Sequence, residues 1–113
     1  MNAPLPAHAL LRPEVRLEDA LLAHGGTVLL SGTQALVRLP LMQRAADAAR
    51  GLDSAGFVSG YRGSPLGQVD QQVWKAKAAY DAAGVRFLPA INEELAATAV
   101  LGTQRVEADP QRE

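Results

Sequence analysis

Apolar residues recur along this chain at helical spacing, separated by short β-branched runs. Leu66, Val69, Val73, Ala76, Tyr80 and Ala83 form one stripe, with Gln68, Gln71, Gln72, Lys75 and Asp81 off it, which predicts a helix over 66–83. Trp74 flanks that stripe and reads as a packing contact, and Gly84 is the stop. Leu41, Ala45, Ala48 and Leu52 share a face opposite Gln43, Arg44, Asp47 and Arg50. That predicts a helix over 34–50, capped by Thr33, stopped by Gly51 and kinked or interrupted at Pro40. Leu17, Ala20, Leu21 and His24 predict a short helix over 16–24, with His24 at its C-terminal end, where a partial positive charge suits the helix dipole. Asn92 is placed to cap a last helix running to about Glu107. Its middle, Leu95 to Leu101, is apolar on every side, and such a helix is expected to be buried all round.

Between the helices lie apolar runs of strand length. Ala55 to Ser59 and Val85 to Leu88 read as strands, and Thr27 to Ser31 as a short strand or an extended lead-in. Strands alternating with helices imply an α/β layer fold with a parallel sheet and right-handed crossovers. Two or three strands fall short of the usual sheet of about 4–6. The expected architecture is therefore an incomplete parallel sheet with flanking helices, part of a larger enzyme or assembly. Residues 1–26 read as an N-terminal arm and short helix, with three prolines in the first thirteen positions, and residues 27–113 as a partial domain.

Composition narrows the function classes. The 113 residues are 48% hydrophobic and 20% charged, and the net charge of −1 gives no electrostatic case for nucleic acid or an acidic membrane. No run of about 18 apolar residues and no signal-peptide pattern is present, so the cytoplasm is the expected location and no membrane is a partner. With no cysteine, disulfides and thiolate metal or iron–sulfur ligation are excluded within these residues, and no metal ligand is assigned.

Chemistry is expected where ligands bind in open parallel sheets, beyond the C-terminal ends of the strands. Two loops occupy that place, Gly60 to Gly67 and Ala90 to Glu94, and both lead into helix N-termini. The first holds three glycines and a proline in eight residues, with Tyr61, Arg62 and Ser64 among them. Arg62 can pair with a carboxylate or phosphate, and Ser64 can meet a ligand, while Pro65 suits a first helical turn. The plainer reading makes this a glycine-rich turn with Ser64 capping the helix and Arg62 in solvent. In the second loop Glu93 and Glu94 either complement the helix dipole or sit partly desolvated, where a carboxyl can share a proton. The pattern alone leaves both pairs of readings open.

The runs "SGTQALVRLPLMQR", "AGFVSGYRGSPLG", "DQQVWKAK" and "INEELAATAVLGTQ" resemble, in that order, the N-terminal segment of the indolepyruvate ferredoxin oxidoreductase family, thiamine-diphosphate-dependent 2-oxoacid:ferredoxin oxidoreductases. The likeness covers about residues 27–106. It implies a segment of the pyrimidine-binding domain, which holds the aminopyrimidine end of thiamine diphosphate. It implies that Gly63-Ser64-Pro65 lines the active site, with Ser64 against the 2-oxoacid and Tyr61 and Arg62 beside it as substrate contacts. Gly63 and Pro65 then approach the cofactor. Glu93, nine residues before Gly102 in the same helix, matches the family glutamate that hydrogen-bonds N1′ of the aminopyrimidine. That glutamate shares a proton with the ring, which makes Glu93 both cofactor-binding and catalytic. The resemblance further implies oxidative decarboxylation of aryl 2-oxoacids such as indolepyruvate, with coenzyme A taking the acyl group and ferredoxin the electrons. It places Mg²⁺ and 4Fe–4S clusters in other parts of the enzyme, so the partners are those remaining domains or subunits, in an oligomer. These 113 residues alone are expected to be inactive. The competing reading is a non-catalytic, truncated module that binds a partner chain or a phosphate-bearing ligand.

Overall fold

The computed structural model describes residues 16, 18–63, 65–108 and 110. The elements are α1 (Asp19–Leu22), α2 (Gly32–Ala49), β1 (Gly56–Gly60), α3 (Gly67–Lys75), α4 (Lys77–Ala82), β2 (Val85–Pro89) and α5 (Glu93–Arg105), followed by a 3-10 turn, Val106–Ala108. The expected arm over residues 1–13 and the side chain of Ser64 lie outside the described residues.

The fold is α/β. β1 and β2 pair in parallel, with Gly56 opposite Val85 and Gly60 opposite Pro89. Val37 and Leu41 of α2, Val73 of α3, Tyr80 of α4, Val85 of β2 and the junction residue Ala76 form the buried core, and Val58 and Phe87 pack against it. Strand alternation then turns Phe57, Ser59, Arg86 and Leu88 to the opposite face. α5 packs against β1 and contributes nothing to the core cluster, which places it over that second face.

Local chemistry explains the element ends. Ser31 rather than Thr33 caps α2: its hydroxyl accepts from the Gln34 amide at 3.2 Å, and the Gln34 side chain accepts from the Ser31 amide at 2.9 Å. α2 runs through Pro40 as one helix. It ends as expected at Gly51, whose φ of +75° lets its amide reach Ala48 O and the Leu52 amide reach Asp47 O, at 3.0 Å each. Asn92 caps α5, its Oδ1 accepting from the Leu95 amide at 2.9 Å.

Of the two readings of residues 27–31, the lead-in holds: they form no strand, and Leu29 is 95% exposed. Four expectations need correcting. α1 is only four residues, and its carbonyls are served by Arg38 of α2, not by His24. Arg38 Nη1 donates to Asp19 O at 3.2 Å and to Ala20 O at 3.0 Å, and its Nη2 donates to Ala23 O. The helix read over 66–83 is two helices, broken at Ala76, whose ψ of 7° leaves the helical region. α3 opens at Gly67 with Leu66 as its N-cap residue, so Pro65 does not stand in the first turn. Finally, α5 is not buried all round: among its residues only Ala96 is buried, and Leu101 is 53% exposed. β1 packs against one side of α5, and among the described residues no further layer covers the rest.

Among the described residues no helix is long and apolar enough to cross a membrane.

Candidate functional site

The C-terminal ends of β1 and β2 bring the two loops together. The Ala90 amide donates to Gly60 O at 2.8 Å, one step past the strand pairing, so the loops leave the sheet side by side. From there the first loop's two leading side chains part. Tyr61, half-buried, lies near enough to Glu93 at the head of α5 to feel its charge. Arg62 turns to α3, and its Nε donates to Asp70 Oδ2 at 2.8 Å. Burial and then the charge of Glu93 push the Tyr61 phenol above its usual range, so it remains a donor through neutral pH.

Two glycines permit this arrangement. A Cβ at Gly67 would overlap the Arg62 carbonyl, so the loop folds back over the start of α3 only because residue 67 has no side chain. A Cβ at Gly63 would overlap the Tyr61 ring. Beneath the loop lies a cavity of about 300 Å³, lined by Leu36, Val58, Tyr61, Leu66, Asp70 and Phe87 among others.

Glu93 sits where the sequence places it, at a helix head beside the glycine loop, but it is exposed. The described residues do not supply the desolvation expected for its carboxyl. Gly63 and Pro65 are exposed and lie on the same loop. Arg62 is 74% exposed through its side chain, yet it is paired rather than free in solvent. Its partner was not legible as a site residue. Asp70 is only 7% exposed, and its Oδ1 has no hydrogen-bond partner. The signal available was an acidic residue in a first helical turn beside the apolar stripe, eight positions after an arginine across a glycine loop.

A larger groove of about 570 Å³ runs between α1, α2 and α4, lined by Leu21, Leu41, Met42 and Ala79 among others. It lies away from the loops, beside the end of α4 that feeds the start of β2. Among the described residues no three histidine, aspartate or glutamate side chains come together as a metal site.

Comparison of the chain with protein-family models, curated proteins and solved structures found no match.

Proposed function

We propose that this chain supplies the aminopyrimidine-facing side of a thiamine diphosphate pocket in a cytoplasmic 2-oxoacid:ferredoxin oxidoreductase that acts on aryl 2-oxoacids. The observation that carries the reading is the Glu93 carboxylate, at the head of α5 beyond the C-terminal edge of a parallel sheet, where the Ala90–Gly60 hydrogen bond sets its loop beside the glycine loop. A carboxylate with free acceptor capacity, set among exposed apolar side chains such as Leu66, Ile91 and Leu95, suits a flat ring that carries hydrogen-bond donors. The residues present therefore fit the aminopyrimidine end of the cofactor. They do not offer a diphosphate or Mg²⁺ site, which the reading assigns to another domain.

Thiamine diphosphate, when bound, supplies the electron sink for decarboxylation. The chain's own residues do the rest. Glu93 accepts a hydrogen bond from the ring and holds a proton there. Gly63 and Pro65 let the loop backbone approach the cofactor. Ser64 and Arg62 face the 2-oxoacid, Arg62 offering its two Nη groups because Asp70 occupies Nε. A second domain closing over α5 removes water from Glu93 and covers Leu95 and Leu101, which supports the view that the pocket is shared between domains. Coenzyme A and ferredoxin engage that larger assembly.

The test is activity after the chain is joined to the remaining domains of such an enzyme, with indolepyruvate as substrate, coenzyme A present and ferredoxin reduction as the readout. Glu93→Gln is expected to lower turnover by about a hundredfold or more while the protein stays folded. Normal turnover in that variant overturns the assignment.

A further inference from the structure

We propose that Asp70 is a positioning residue for Arg62: it holds the guanidinium by Nε alone, so that the Nη1–Nη2 edge stays open to the carboxylate of the 2-oxoacid. The proposal rests on the reading of Arg62 given above, and it brings in a residue that no sequence motif marked.

Three observations converge. First, the pair is joined by one bond where two are possible. Arg62 Nε donates to Asp70 Oδ2 at 2.8 Å, while Asp70 Oδ1 is buried and accepts from no described residue. A guanidinium that meets a carboxylate edge to edge makes two parallel hydrogen bonds. Here the second is not made, although a buried acceptor without a donor is costly. What the arrangement keeps is the other end of Arg62: neither Nη group has a partner among the described residues. Those two groups form a fork that fits a second carboxylate.

Second, the pair is anchored at one end only. Asp70 is 7% exposed, in the first turn of α3, a helix that Val73 ties into the core. Arg62 is 74% exposed through its side chain. The carboxylate therefore stays with the base, and the guanidinium is placed against it. An arginine loses much rotamer freedom when it grips a ligand, and one already held has less to lose.

Third, the backbone of the same residue lies on the same turn. A Cβ at Gly67 would overlap the Arg62 carbonyl, so residue 62 meets α3 twice, through its main chain at Gly67 and through Nε at Asp70. Gly67 is not among the glycines with positive φ, so its missing side chain serves that close approach rather than a turn.

A carboxylate that is only a counter-charge to Arg62 gives the opposite sign. It competes with an incoming anion, so its removal tightens the anion's hold. A positioning carboxylate helps the anion, and its removal weakens the hold.

The test uses the 113-residue chain labelled at its arginine nitrogens, with NMR of chain and probe as the readout and benzoylformate, an aryl 2-oxoacid, as the probe. Arg62→Lys assigns the Arg62 Nε–H signal. Benzoylformate is expected to shift that signal, and methyl benzoylformate, which lacks the carboxylate, is expected to leave it in place. Asp70→Leu is expected to weaken benzoylformate binding by about tenfold, whereas Asp70→Asn, whose amide oxygen still accepts from Nε, stays within about threefold of wild type. On an Arg62→Lys background, Asp70→Leu is expected to change nothing further, because its effect passes through the guanidinium. Tighter binding in Asp70→Leu overturns the proposal, as does an equal loss in Asp70→Asn, or the same Asp70→Leu loss on Arg62→Lys. So does a wild type whose Arg62 signal answers neither benzoylformate nor inorganic phosphate. A signal that answers phosphate alone, with the same dependence on Asp70, keeps Asp70 as the residue that positions Arg62 and overturns the 2-oxoacid reading instead.

Discussion

Tyr80 gives the sharpest test of the frame that carries the site. Its side chain is 2% exposed, in the core with Val37, Leu41, Val73 and Val85, and its hydroxyl donates to the Val37 carbonyl of α2 at 2.9 Å. Tyr80→Phe deletes the hydroxyl and keeps the ring. The Val37 carbonyl retains its helical partner, so the loss is that of one buried hydrogen bond, about 1 kcal/mol at pH 7. The alkaline side reverses the sign. Burial pushes the Tyr80 phenol from 10.0 up to about 12. A group raised in the folded state stabilises fully below its unfolded value, and that stabilisation is lost as pH climbs towards the folded value. Here the window is pH 10 to 12, and the loss at the upper end is about 2 kcal/mol. Phenylalanine does not titrate. The variant is therefore less stable than wild type at pH 7 and more stable at pH 12, with the two crossing between about pH 10 and 11. Urea unfolding followed by far-UV circular dichroism at a series of pH values measures the difference, and the contribution of Tyr61 is common to both proteins. A stability difference that stays constant from pH 7 to 12 refutes the reasoning, as does a Tyr80→Phe chain that is no less stable at neutral pH.

Other outcomes follow from the polar contacts. Arg62→Ala, at a largely exposed position where substitutions are usually mild, is expected to destabilise by about 1–3 kcal/mol because it strips the buried Asp70 carboxylate of its partner; adding Asp70→Asn is expected to restore part of the loss, and chemical unfolding checks both. Asp47 is held below its ordinary 3.8 chiefly by the hydrogen bond from Ser54 and then by that from Gln43. Its contribution is present above that pH and fades as pH falls below it, so Ser54→Ala is expected to bring acid unfolding at a higher pH, read from a pH titration of the circular dichroism signal.

What was legible in the sequence was what local chemistry decides. The two apolar strands, the Asn92 cap and the Gly51 stop each depend on residues a few positions apart, and each stands in the fold. The Ser31 cap was equally local, since Ser-x-x-Gln is a capping box, and it lost out only to the neighbouring Thr33. Distant partners were not legible. Arg38 reaches back from α2 to take the carbonyls of α1, and Arg44 crosses to the Ala83 carbonyl at 2.8 Å to finish α4. No spacing rule announces either. The misjudged burial of α5 has a different cause. An all-apolar helix shows what a chain needs covered, whereas the cover depends on how many layers are present, and among the described residues one side has none. Within the site, position was legible for Glu93 and the glycine loop. The engagement of Tyr61 and Arg62 was not, because it depends on how Gly63 and Gly67 let the loop lie back on its own side chains and on α3.

The site is thus a lightly held loop on a firmly held base. The base is fixed by buried contacts, with Tyr80 tied into α2 and Val85 seated in the core, and those bonds do not yield to a ligand without unfolding the layer. Beyond the last bond of the strands, the loop is held by the Arg62–Asp70 pair, whose arginine is largely exposed, so water and salt screen it. A ligand that offers Arg62 a second carboxylate adjusts the loop against no more than that pair. The same geometry that presents the arginine also leaves it adjustable, and the base keeps the adjustment local. On the proposed reading, a covering domain that desolvates the loop strengthens the Arg62–Asp70 pair and so also sets how tightly the loop closes.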